Sequence, residues 1–181
     1  SAETERRSVP ASDTTMEWYR PLPAPRQVTW SARDNLNYQE TAALAALDDS
    51  AHRSKEMLHN FYKKAWDSWH KGLTQPPYAF LISQDQGDPA RVAQMIERLM
   101  NQHIEVARAE RSIQLKEGTF PAGTYVVRLD QPYRNYAVDL LTPQNFPKGG
   151  GEPYDDVSWE LPAHYHLQAT PSSDASILKM N

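Results

Sequence analysis

Two stretches of this sequence have the residue types and spacing of ligand-binding turns. Asp130-Gln131-Pro132-Tyr133-Arg134 sets an acid, an amide and a guanidinium within five residues. An arginine so placed can grip a carboxylate through two parallel hydrogen bonds. Ser83-Gln84-Asp85-Gln86-Gly87-Asp88 leads into a helix start, where backbone N–H groups can hold an anion. Each stretch has a plainer account. Asp130 and Arg134 can pair with each other across a helix start, and residues 83–88 can be a capped turn. His164-Tyr165-His166 is the one close histidine pair. On a strand, positions i and i+2 share a face, so both rings could reach one metal. Zinc sites need three or four convergent ligands, and no third is evident nearby, so His164 and His166 are weak metal candidates and no metal is expected.

Other chemistry lacks its residues. The 181 residues include no cysteine, which excludes disulfides, thiolate zinc sites and a cysteine nucleophile. There is no Gly-x-Ser-x-Gly elbow, no phosphate-binding glycine pattern and no His-Glu-x-x-His zinc motif. Glu56 and His59 share a helix face, and Asp155-Asp156 sits in a loop; neither pair has a visible catalytic partner. The net charge of −4 offers no basic face to nucleic acid. No stretch approaches the roughly 18 apolar residues of a membrane span, and the first residues lack a signal-peptide apolar region. The start at Ser1 fits a processed chain or a piece of something longer. Length suits one ordinary domain.

The elements that must position these residues can be read from periodicity. Residues 1–15 are polar and expected to be a disordered tail. Residues 16–73 read as an aromatic strap and N-terminal helices. Pro21, Pro23 and Pro25 favour an extended strap pinned by Trp18, Tyr19 and Trp30. Leu36, Ala43, Leu44 and Leu47 form a short helical stripe, with a break expected at Asp48-Asp49-Ser50. Met57, Leu58, Phe61, Tyr62, Ala65, Trp66 and Trp69 recur at helical spacing, which predicts a helix over about 51–71 that buries this face. Gly72 stands where a glycine would end it. An aromatic platform for sugars or peptides is the alternative use of Trp66 and Trp69.

Residues 74–169 read as an α/β domain. Tyr78 to Ile82 is a continuous apolar run that suits a strand buried on both faces. Asp88-Pro89 starts a helix to about Gln102 that buries Val92, Met95, Ile96, Leu99 and Met100. Ile104 to Val106, Thr124 to Leu129 and Tyr133 to Leu141 follow as strand, strand and helix. Strand, helix, strand in about thirty residues predicts a parallel unit. The expectation is therefore an open parallel sheet with flanking helices, preceded by a helical N-terminal segment. Ligands would then bind beyond the C-terminal strand ends, at the loops after 78–82 and 124–129. Residues 142–156 are a Pro/Gly-rich loop, and 170–181 a polar tail.

Several phrases together resemble the region that follows the catalytic domain in large bacterial proteins of the zinc carboxypeptidase family. They are Val28 to Gln39, Asn60-Phe61-Tyr62, Pro77 to Ile82, Gln86 to Pro89, Pro121 to Tyr125, Asp130-Gln131-Pro132, and Pro153 to Pro162. The last is similar to a Tyr-Asp-Val-Thr-x-Trp-Thr-Leu-Pro pattern, with an extra Asp and with Glu160 in place of Thr. The likeness spans roughly residues 17–168. It implies a class I glutamine-amidotransferase-like, flavodoxin-like sheet. It also implies a non-catalytic accessory role, because the family's His-x-x-Glu zinc motif is missing here and an amidotransferase would need a cysteine. Zinc would belong to the parent family's peptidase domain alone, and no cofactor is expected in this chain. The expected partners are a peptidase domain or a second copy, with a peptide or glycan as ligand. A periplasmic or secreted location is favoured over a cytoplasmic one. The candidate ligand-binding residues are Gln84, Asp85, Gln86, Asp130, Gln131, Arg134 and Trp159, with no catalytic residue. A small independent hydrolase or ligand-binding module using the two loops is the alternative.

Overall fold

The computed structural model describes residues 5–18, 20–143 and 160–180. Tyr19, the 149–151 glycines, Asp155-Asp156 and Trp159 lie outside the described residues. The chain forms two compact units, Ser1–Leu58 and His59–Asn181.

In the first unit, β1 (Glu5–Ser8) pairs antiparallel with β2 (Gln27–Trp30), Glu5 opposite Trp30. The tail expected to be disordered is thus a strand from Glu5 onward, because Gln27–Trp30 supplies its ladder partner. A 3-10 turn covers Ala11–Thr14, held by Arg20 on Asp13 at 3.2 Å. Helix α1 (Ala32–His52) starts at a reciprocal cap. The Ser31 N–H and hydroxyl both donate to Asp34, at 2.8 and 2.7 Å, which meets the unsatisfied donors of a first turn. Those bonds, the Ser31 hydroxyl's first, hold the Asp34 carboxyl below the ordinary carboxylate range. Trp30 packs on the start of α1: its ring lies 5.4 Å from Tyr38 and its Nε1–H donates to Asn35 at 2.9 Å. Trp18 does not bury; it is 92% exposed. The break expected at Asp48–Ser50 comes instead at Arg53. Helical bonding carries on through it, from the Arg53 N–H to Asp49 and from the Met57 N–H to Arg53, both 2.9 Å. No described residue of this unit is buried.

Helix α2 (Ser54–Thr74) carries the boundary between the units. The second unit is a mixed helix–sheet domain. Strand β3 (Ala79–Ile82) is followed by α3 (Pro89–Asn101), β4 (Ala107–Arg108), a hairpin of β5 (Ile113–Leu115) and β6 (Gly118–Phe120), β7 (Tyr125–Arg128) and α4 (Arg134–Leu141). The short α5 (Leu161–His164) and β8 (Thr170–Ser172) come after the undescribed residues. The main sheet has the order β4-β7-β3-β8.

Every pairing in that sheet is antiparallel, which corrects the expected parallel, flavodoxin-like sheet. Strand, helix, strand was the right order. Strands β3 and β4 flank α3 and run the same way, since both are antiparallel to β7. But β7 occupies the slot between them, so they never pair. An apolar run reports burial on both faces and is blind to the direction of its neighbours. Residues 104–106 precede the strand rather than form it, although Ile104 is in the core.

Alternation along β3 builds a core on each face of the sheet. Phe80 and Ile82 join Val127, Val92, Met95, Leu99, Ala137 and Leu141 beneath α3 and α4. Ala79 and Leu81 join Val126, Ile113, Leu115 and Ile177 beneath the β5–β6 hairpin. The expected polar tail is therefore structural. It supplies edge strand β8 and then Ile177, which is 2% exposed.

Gly72 does not end α2, which runs on to Thr74. An added Cβ would lie 1.8 Å from the Leu129 carbonyl oxygen. The glycine is there because helix and strand end touch backbone to backbone.

Candidate functional site

The antiparallel sheet decides the fate of the two candidate loops. Ala79 lies opposite Arg128 and Ile82 opposite Tyr125. The loop after β3 and the loop after β7 therefore leave from opposite ends of the sheet. In a parallel sheet both would open on one edge and could share a ligand. Here Gln84, Asp85 and Gln86 stand at one end, and Asp130, Gln131 and Arg134 at the other.

Most of these side chains are engaged in holding the fold. Gln84 accepts from Arg108 at 2.7 Å, and its side chain covers the face of Gly123. Arg108 also stacks over the Tyr125 ring at 5.7 Å. Gln86 copies a backbone ladder. Its amide nitrogen donates to the Ser83 and Gln168 carbonyls at 2.9 and 3.0 Å, and its oxygen accepts the Gln168 N–H at 2.7 Å. Asp88 caps α3 by accepting the Ala90 N–H at 2.9 Å. Asp85 is exposed, and its N–H donates to the Ser83 hydroxyl oxygen at 3.2 Å.

At the other end, Gln131 is buried and makes the same kind of ladder with Glu105. It accepts the Glu105 N–H at 2.8 Å and donates to the Glu105 carbonyl at 3.1 Å. Asp130 does not pair with Arg134. It binds Arg128 through both oxygens, at 3.0 and 2.6 Å, and Arg128 also reaches the Leu178 and Met180 carbonyls. Arg128 ends β7 and Asp130 follows two residues later, nearer than the helix start that the sequence suggested.

Arg134 is 8% exposed. It reaches Asn135 at 3.2 Å and the Gln75 and Pro76 carbonyls at 3.4 Å, and its Nε has no partner among the described residues. Burial pulls its pKa down. The guanidinium lies just beyond the C-terminus of α2, where carbonyls are unsatisfied and a cation is favoured.

The two histidines are not on a strand. His164 ends α5, and His166 sits in the following turn with φ 51°. No group of three metal-ligating residues occurs among the described residues. His164, Tyr165, Tyr136, Gln102 and Arg98 line an open groove of about 480 Å³ between α3, α4 and α5. Within it the Tyr136 hydroxyl meets Gln102 at 3.4 Å.

The feature that the sequence reading placed wrongly is the apolar face of α2. It was expected to bury the helix. Leu58 and Phe61 are instead 70% and 69% exposed, with Tyr62 and Trp66 also exposed. The Trp66 ring stacks on His70 at 5.1 Å. The α2 residues that bury are Ser68 and Gly72, and the Ser68 hydroxyl accepts the Asn135 N–H at 3.1 Å. Leu36, Leu44 and Leu47 of α1 are equally exposed. Small residues gave the signal: only they let a helix approach a backbone closely.

No protein-family model, curated protein or solved structure matches this chain. No helix among the described residues is long and apolar enough to cross a membrane.

Proposed function

We propose that the chain is a non-catalytic interaction domain whose binding elements are the exposed apolar face of α1 and, separately, that of α2. The observation that carries this is the first unit: it has no buried described residue, yet α1 holds Leu36, Leu44 and Leu47 in water. A helix gains most of its stability from packing an amphipathic face, and exposed apolar patches of this kind mark interaction sites. The second unit has its own two-sided core and serves as the scaffold. The likeness of the Val28–Gln39 and Asn60–Tyr62 phrases to carboxypeptidase-associated regions favours a peptidase domain as the partner. Engagement of Gln84, Gln86, Asp130 and Gln131 in structural bonds speaks against a small hydrolase at the loops.

Titration of a purified zinc carboxypeptidase domain into the chain tests this. Burial of Trp66 and Trp69 predicts a blue-shifted tryptophan emission and protection from a polar quencher. Unchanged emission and no heat of binding would refute the partner. Zinc-dependent peptide hydrolysis by the chain alone would refute the non-catalytic role.

A further inference from the structure

The end of α3 and the turn into α4 enclose a second open groove, of about 730 Å³, wholly within the second unit. That volume suits a small ligand. Helix α3 ends in a reversal: the His103 N–H donates to the Met100 carbonyl at 2.9 Å and the Ile104 N–H to the Leu99 carbonyl at 3.1 Å. The reversal holds His103 at φ 61°, a position that glycine ordinarily fills. Here a side chain is present, and its ring stacks on Tyr133 with 6.3 Å between centroids and 30° between planes. Met100, Val106 and Pro132 add apolar lining beside the two rings. Met100 and Tyr133 stay exposed, whereas Ile104, which also lines the groove, belongs to the core.

Charge enters this groove through Glu105. Among the described lining residues it is the one acid, and none is a lysine or arginine. Glu105 is exposed, and among the described residues it hydrogen-bonds only through its backbone. The buried Gln131 amide grips that backbone at both the N–H and the carbonyl. The main chain beneath the carboxylate is therefore fixed while the carboxylate itself is left to solvent, as a pre-organised site requires.

We infer that the groove binds an organic ammonium cation carrying alkyl groups, the chemistry shared by free methylated amines and lysine side chains. An aromatic face attracts such a cation through its quadrupole, and Tyr133 offers one. Glu105 supplies the opposite charge. Met100, adaptable and polarizable, packs on the alkyl groups. An anion would meet the Glu105 charge, and a neutral ligand would leave that carboxylate without a counterpart.

The test titrates the full isotope-labelled chain, followed by two-dimensional NMR. The probes are choline, the uncharged dimethylbutanol of the same shape, and an acetylated, amidated tripeptide with lysine between two glycines. Choline or the peptide should shift the amides of His103, Glu105 and Tyr133 saturably, with Kd near about 1 mM, and dimethylbutanol should not. Tighter binding of choline assigns the groove to a free amine; tighter binding of the peptide assigns it to a lysine on a protein partner. Glu105→Gln and Tyr133→Leu, both at exposed positions, should each weaken binding about three- to five-fold and leave the remaining resonances in place. Equal shifts from dimethylbutanol, full affinity in Glu105→Gln, or no saturation by either cation up to about 50 mM would overturn the inference.

Discussion

Replacing Gly72 by alanine separates two meanings of that glycine by sign. If it merely relaxed a helix end, alanine would stabilise α2 by about 1 kcal/mol, the ordinary propensity difference. The structure requires the opposite. The new Cβ would lie 1.8 Å from the Leu129 oxygen, 2.3 Å from its carbon and 2.7 Å from the Asp130 nitrogen. These are backbone atoms of the strand end, so no rotamer change removes the overlap. Helix and strand must part by more than an ångström. Overpacking costs about 1–3 kcal/mol in tight sites, and a backbone obstacle belongs at the upper end. Offset by the propensity gain, Gly72→Ala should destabilise by about 2 kcal/mol. For a unit of this size that is roughly 8 °C in Tm. Because Leu129 leads directly into Asp130 and Gln131, the displacement should also loosen the Arg128–Asp130 pair. Urea unfolding followed by circular dichroism, with Lys71→Ala as a nearby exposed control, measures it. A Gly72→Ala midpoint above that of the unaltered chain would refute the close approach and the α2 docking built on it.

Other outcomes follow from the same bonds. Burial raises the Glu117 pKa, but hydrogen bonds from the Ser173 N–H and the Ser172 and Ser173 hydroxyls outweigh it, so the net shift is down from 4.5. A depressed carboxylate stabilises above its unfolded pKa, and that contribution disappears as pH falls through the folded value. Glu117→Gln should therefore lower Tm at pH 7 and converge with the unaltered chain near pH 3. Equal gaps at both pH values would argue against the latch that ties the β5–β6 turn to β8. Gln131→Ala strands the Glu105 N–H and carbonyl and should cost about 2 kcal/mol, read by urea unfolding; a change under about 0.5 kcal/mol would mean water replaces the amide. Arg134 is buried with long bonds and no carboxylate partner among the described residues, so Arg134→Met should change stability by less than about 1 kcal/mol, whereas loss of about 3 kcal/mol or more would reveal a charge partner.

Periodicity and capping chemistry were legible in the residues. Asp88-Pro89 starts α3, the apolar positions Val92, Met95, Ile96 and Leu99 are its buried face while Met100 is exposed, and Tyr133–Leu141 holds α4. The small partners were not legible. Strand β1, the β5–β6 hairpin and β8 are three or four residues each, too short for alternation to declare itself. The polar residues of the candidate site were found, but their roles were not. Gln86 and Gln131 look like ligand-binding amides in a sequence. Their ladders with Gln168 and Glu105 join residues 82 and 26 positions apart, which no local pattern encodes.

The sequence by itself determined the longer elements α2, α3, α4, β3 and β7, which faces are apolar, and which chemistries lack their residues, because those follow from local conformation and side-chain type. Only the tertiary structure decided the direction of the strands. With β7 between β3 and β4, the two loops that could have formed one site lie at opposite ends of the sheet. Only the tertiary structure showed which face of α2 is covered, since that depends on where the Leu129 backbone comes close enough to admit nothing larger than Gly72.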